Sequence, residues 1–262
     1  MHRIQQKSAQ IKSENRVGLM THVVVGFPTL KKTEELIDAM IENSVDFIEL
    51  QIPFSDPIAD GPTILKASDT ALKNGTKVKD AFDLVKRIRE KNDEIPLLFM
   101  SYANIILQIG VQKFVQKSKE VGIDGFIIPD LPPDESEGEE FLKACEEYDL
   151  APILILSPTS SEERMKYIAE KGKGFFYSVA RTGVTGAETT FSEELGIFLK
   201  KCRKVTTLPL AVGFGISKPE HIQFLKGKAE VAVVGSETLR ILEKDGIDAV
   251  SEFINSLVEA GK

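Results

Sequence analysis

Eight short runs rich in β-branched and aromatic residues recur along the chain, at residues 21–25, 46–52, 96–101, 124–128, 151–156, 174–179, 208–212 and 230–234. Segments of helical period separate them. Residues 33–43 carry Leu36, Ile37, Met40 and Ile41 on one face, and residues 78–91 carry Phe82, Val85 and Ile88. Residues 112–121, 135–148, 161–171, 192–205 and 219–226 follow the same habit. Strand–helix alternation of this kind forces parallel pairing through right-handed crossovers. Eight such units fit a closed barrel better than an open sheet. The expected fold class is therefore α/β, a single (β/α)8 TIM barrel domain spanning residues 1–262. An extra N-terminal helix, residues 1–14, is expected to plug the barrel bottom. Long loops are expected after strands 2 and 6. The first interval has room for an extra element at 63–74; the second, 181–191, is rich in Gly and Thr. Both follow the C-terminal ends of strands, where barrels of this type place their chemistry.

Composition narrows the function classes. With 262 residues, 42% of them hydrophobic, the chain can bury a sizeable core. A net charge of −7 gives no global attraction to nucleic acid or to an anionic membrane. An anionic small molecule must then be held by local dipoles and single cations. Cys145 and Cys202 lie in helix-like segments without metal-ligand spacing, as reduced thiols of a cytosolic protein do. His2, His22 and His221 are scattered, so no metal constellation is expected. Residues 1–16 are polar and charged, unlike a secretory signal or an anchor. A cytoplasmic location is the expectation.

The second run carries a charge. Ile48, Leu50 and Ile52 share one side of the strand, and Phe47, Glu49 and Gln51 share the other. An unpaired carboxylate in a buried strand costs free energy or moves its pKa upward. That makes Glu49 a candidate general acid/base. The loop beyond it adds Asp56 and Asp60, stiffened by Pro53, Pro57, Gly61 and Pro62. Either aspartate can converge with Glu49 on one small cleft. The competing reading pairs Glu49 with a Lys or Arg and uses both aspartates as turn caps.

Three glycine-bearing loops follow late in the chain: Thr182-Gly183-Val184-Thr185-Gly186, Gly213-Phe214-Gly215-Ile216-Ser217, and Gly235-Ser236, which opens a short helix at 238–243. In a barrel they follow strands six, seven and eight. Glycines let backbone N–H groups approach an anion, and a helix N-terminus adds a favourable dipole, so these loops point to a phosphate corner. Alternatively each glycine serves a tight turn. Arg181 is the one cation flanking them, and it can instead anchor its loop to Asp56 or Asp60. Tyr177 shares a strand face with Phe175, either offering its hydroxyl to the cleft or packing as a core tyrosine. Met100, Ile127, Ile153, Phe214 and Val233 sit in strands or at strand ends, where spacing alone favours core packing over a ligand pocket. His22 reads as a satisfied core histidine. Asp130, after strand four, orients a neighbour or caps the next helix.

These motifs resemble a known family. Pro53-Phe54-Ser55-Asp56-Pro57-Ile58-Ala59-Asp60-Gly61-Pro62-Thr63-Ile64 is similar to the signature of tryptophan synthase α subunits, as is Arg181-Thr182-Gly183-Val184-Thr185-Gly186. Pro129-Asp130-Leu131-Pro132-Pro133, Val212-Gly213-Phe214-Gly215-Ile216-Ser217 and Val234-Gly235-Ser236 match in order and spacing. The resemblance implies retro-aldol cleavage of indole-3-glycerol phosphate to indole and glyceraldehyde 3-phosphate, with no cofactor. It implies that Glu49 delivers a proton to indole C3 and helps deprotonate the 3′-hydroxyl. Asp60 would stabilise the positive charge developing on the ring through its N–H, and Tyr177 would lie near the reacting centre. Gly186, Gly215, Gly235 and Ser236 correspond to the phosphate loops. Met100, Ile127, Ile153, Thr185, Phe214 and Val233, with Arg181, correspond to the indole pocket and lid. The implied partner is a β subunit in an α2β2 heterotetramer, and PLP would belong to that partner only. Loops at 57–62, 102–107 and 130–135 would face it. Three positions depart from the family pattern: His22 stands where a Phe is usual, Gln51 where a Gly is usual, and Phe27 where a polar residue is common. His22 and Gln51 are expected to reshape the ring pocket or retune Glu49. The alternatives are a free-standing lyase and a non-catalytic regulatory subunit.

Overall fold

The computed structural model describes residues 2–179, 193–213 and 215–262. Parallel strands β1 (Gly18–Val24), β2 (Phe47–Gln51), β3 (Leu97–Met100), β4 (Gly125–Ile127), β5 (Ala151–Ile153), β6 (Ile155–Leu156), β7 (Phe176–Val179), β8 (Leu210–Gly213) and β9 (Val231–Val234) pair in the order β5-β4-β3-β2-β1-β9-β8-β7-β6. Leu154 alone separates β5 from β6, so the two ends of that order meet in one run and the sheet closes as a barrel.

The run at 151–156, expected as one strand, is thus two. β5 pairs with β4 and β6 pairs with β7. Pro152 sits in the middle of β5 opposite Phe126 and has no N–H to give to a ladder, which weakens pairing at this point.

Alternation along each strand sorts side chains between two cores. Outward residues such as Ile48, Leu50, Phe99, Phe126, Phe176 and Val212 pack under the helices. Inward residues including Met20, Phe47, Leu98, Phe175 and Val231 fill the lumen. Helix α1 (His2–Ser13) adds Ile4 and Ile11 to that inner cluster, both fully buried, so it stoppers the barrel at its N-terminal end.

Helix ends follow local chemistry. Thr29 starts α2 (Leu30–Glu42) by accepting the Lys32 N–H at 3.2 Å, and Ser161 does the same for Arg164 at the start of α8 (Glu162–Lys171). The extra element after β2 is α3 (Pro62–Lys73), with Pro62 in its first turn. Two helices lie beyond the periodic segments singled out above. Residues 103–109 form α5 (Ala103–Ile109), so most of the 102–107 stretch is helix rather than loop. The closing helix α11 (Ser236–Gly261) runs far past residue 243, across a break at Gly246 where φ is 86°. The long interval at 181–191 lies outside the described residues. Among those described, no helix is long and apolar enough to cross a membrane.

Candidate active site

Strand alternation delivers His22 from β1, Glu49 and Gln51 from β2, and Tyr177 from β7 into the lumen, above the layer that α1 closes. The register sets His22 directly beside Glu49. His22 Nδ1 lies 3.2 Å from Glu49 Oε1, an ion pair when the imidazole is protonated. Gln51 Nε2 donates to Asp60 Oδ2 at 2.7 Å. All four residues are buried. Glu49 Oε2 has no hydrogen-bond partner among the described residues.

Asp60 comes from a loop held at two points before it. The Phe54 ring stacks on Tyr102, with centroids 5.4 Å apart, and Ala59 N–H donates to Tyr102 Oη at 3.3 Å. Gly61 and Pro62 then turn directly into α3. Asp56, on the same loop, is exposed and accepts from Ser55 Oγ. The loop thus turns one of its two aspartates inward and leaves the other in water.

Burial governs protonation here. It pushes the Asp60 carboxyl above the ordinary range, against the Gln51 hydrogen bond and the charge of His22. It pushes the Tyr177 hydroxyl well above its usual value, and the charges of Glu49 and Asp60 add to that, so the hydroxyl keeps its proton. Burial pulls the His22 imidazole down. The charge and hydrogen bond of Glu49, with Asp60 and Gln51 behind them, outweigh it and leave His22 raised.

Met100, Ile127, Ile153 and Val233 belong to the lumen cluster, together with Tyr102 and with Phe54, Ala59 and Tyr177 at its edge. They are apolar side chains of the same lumen into which strand alternation turns Glu49. Gly215 has φ of 84°, a conformation that favours glycine. Gly235 follows the end of β9 as the N-cap of α11, which begins at Ser236, so the first N–H groups of that helix open at the C-terminal rim. Arg181, Thr185, Gly186 and Phe214 lie outside the described residues. Asp130 is a capping group, but for α5 rather than for the helix after it: its Oδ1 accepts the Ala103 N–H at 2.9 Å.

His22, which spacing alone reads as a core histidine and the family resemblance reads as a residue able to retune Glu49, contacts Glu49. Tyr102 was not singled out at all; its place just past the end of β3 was the available signal. Among the described residues no cluster of side chains suits a metal ion.

The sequence profile of the family described as Tryptophan synthase alpha chain matches residues 8–261. A tryptophan synthase alpha chain from Desulforapulum autotrophicum is 49% identical over 246 residues, covering 94% of this chain and 96% of its own. One from Caldanaerobacter subterraneus subsp. tengcongensis is 42% identical over 264 residues, covering 99% of each. Among solved structures, a tryptophan synthase of Mycobacterium tuberculosis superposes with a TM-score of 0.92 at 29% identity, over 98% of this chain and 97% of that one. A structure from Aquifex aeolicus VF5 gives 0.92 at 35% identity, over 99% of each chain. The chain belongs to the tryptophan synthase alpha chain family, as a lyase that cleaves indole-3-glycerol phosphate to indole and glyceraldehyde 3-phosphate in tryptophan biosynthesis.

Proposed function

We propose that the cleavage runs between Glu49 and Asp60, with Tyr177 beside the reacting centre. The observation that supports this most is the pair of buried carboxylates on one lumen, each held by a different neighbour, with Glu49 Oε2 free of hydrogen bonds among the described residues. Breaking the bond between indole C3 and the glycerol side chain needs a proton placed on C3 and one removed from the side-chain hydroxyl. One carboxyl group can do both, returning to its starting state. The ring carries positive charge once C3 is protonated, and a carboxylate facing the ring N–H stabilises it. We assign the first role to Glu49 and the second to Asp60. Met100, Ile127, Ile153 and Val233, with Thr185 and Phe214, would flank the indole. Gly215, Gly235 and Ser236, with Gly186, would bind the phosphate through backbone N–H groups. Arg181 would belong to the closing lid.

The partner we infer is a PLP-dependent β subunit in an α2β2 assembly, acting in the cytoplasm, with PLP on the partner alone. Ile58, 73% exposed, and Leu107, 42% exposed, are large apolar side chains left in water, on the loop after β2 and on α5. Both follow the C-terminal ends of strands, on the face the partner would cover.

The test is release of indole from indole-3-glycerol phosphate by the pure chain, alone and with a β subunit. Activity that rises with the partner supports the synthase role. Full activity alone indicates a free-standing lyase, and none in either case indicates a regulatory subunit. Glu49→Gln should abolish turnover while the fold and partner binding persist; unfolding of that variant would make Glu49 structural.

A further inference from the structure

His22 and Glu49 are register neighbours on adjacent strands, with side chains 6% and 5% exposed. Nδ1 of the imidazole occupies Oε1 of the carboxylate at 3.2 Å, and Oε2 has no partner among the described residues. Gln51, next on the same strand face, is engaged with Asp60 and leaves Glu49 to His22. The surroundings of His22 hold it there. β2 presents Glu49 and Gln51, and the loop beyond presents Asp60. On the β9 side stands Gly235, where an added Cβ would lie 3.5 Å from His22 Cβ. None of these groups is a cation, and two are anions.

We propose that His22 is a positioning residue for the cleavage: its Nδ1–H fixes Oε1 of Glu49, so that Oε2 is the oxygen that takes the hydroxyl proton and delivers one to indole C3. The inference rests on the role given to Glu49 above. Proton for proton the cycle balances. The hydroxyl proton goes to Oε2, the C3 proton comes from Oε2, and the electron pair of the broken C–C bond stays with the ring. Without a tether the carboxyl group would rotate and present either oxygen, and a misplacement of about 1 Å can cost about 10²-fold in rate.

The test compares the full chain with His22→Phe and His22→Asn, with and without a β subunit. Phe fills the volume with no donor. Asn keeps an N–H donor near the place of Nδ1 but cannot titrate. Turnover of His22→Phe, which puts the family's usual ring beside a Glu49 that still has Gln51 on its strand face where a Gly is usual, should fall by about 10²-fold with little change in KM, and His22→Asn should recover about tenfold of that loss. The pH profile of kcat should carry a limb above the ordinary imidazole range that both variants lack, because the anions around His22 raise its pKa. The chain has three histidines, so nitrogen NMR resolves each imidazole without substrate. The His22 signal should titrate above its ordinary value and fall back in Glu49→Gln. Wild-type turnover and pH profile in His22→Phe, no recovery in a folded His22→Asn, or a His22 titration indifferent to Glu49→Gln would each overturn the proposal. Failure of the wild-type chain to release indole under any condition would instead count against the roles proposed for the site.

Discussion

The ring of Tyr177 covers Gly213 of the neighbouring strand so closely that a Cβ at 213 would stand 2.2 Å from Tyr177 Oη and 2.4 and 2.5 Å from two ring carbons. In the β7–β8 register Tyr177 is paired with Ala211, so its side chain leans along the strand toward the open end of the barrel. The absent side chain at 213 is what lets the hydroxyl reach that end. Gly213→Ala should destabilise the fold by about 1–3 kcal/mol and reduce indole release, through overpacking at this point. Removing the hydroxyl alone will not relieve it, because ring carbons clash as well. Tyr177→Ala should therefore cost less stability in the Gly213→Ala background than in the wild type, a coupling that a double-mutant cycle by urea unfolding measures.

Asp60 predicts a conflict between function and stability. Burial raises its folded pKa above the unfolded value, so its charge destabilises the fold at pH above the folded pKa, and the penalty is relieved as pH falls through that value. Asp60→Asn should melt higher than the wild type at pH 8, by about 2–4 °C per kcal/mol recovered, while indole release drops about 10²–10³-fold. At about pH 3 and below, where the wild-type carboxyl is largely protonated in both states, the two melting temperatures should converge. A lower melting temperature for Asp60→Asn at pH 8 would mean that the Gln51 hydrogen bond outweighs burial.

The N-terminal stopper is a stability element placed away from the chemistry. Ile4 and Ile11 are fully buried in the same lumen cluster as Phe47 and Phe175. Ile4→Ala or Ile11→Ala should cost about 2–5 kcal/mol in chemical unfolding. Turnover per folded molecule should stay near wild type, since function in such barrels resides at the opposite rim.

The barrel was legible because its signal is repetitive: eight β-rich runs and their helices are a period, and one weak unit does not break it. What escaped was local. The split of the fifth run turns on a change of pairing partner around Leu154, which no hydrophobic pattern encodes. Helix α5 is only a few residues long and is capped from another loop by Asp130, a contact remote in sequence. At the site, Glu49 stood out because charge in a buried strand is costly, and strand alternation correctly placed it with Phe47 and Gln51. Spacing alone left His22 as a core imidazole, and the family pattern marked it as a departure, but neither named its neighbour. That neighbour follows from the β1–β2 register, which the sequence leaves open.

Asp124 anchors the face opposite the site. Its Oδ1 accepts from Arg3 at 3.1 Å, and its Oδ2 accepts from Arg89 at 2.8 Å and from the Leu97 N–H at 2.9 Å. Asp124 is almost wholly buried, and the Arg89 side chain is 11% exposed. Asp124→Ala would leave the Arg89 guanidinium in a poorly solvated place without its anion, and should cost about 3–5 kcal/mol in urea unfolding. Arg89→Met in the Asp124→Ala background removes the stranded charge and keeps an apolar stem, so it should recover part of that loss. Recovery should stay incomplete, because Arg89 also donates to the carbonyls of Gly122 at 2.9 Å and Ile95 at 2.7 Å, and both would lose that donor. If Asp124→Ala were nearly neutral, the bottom of the barrel would owe its stability to the apolar packing of α1 and the lumen rather than to this ion pair.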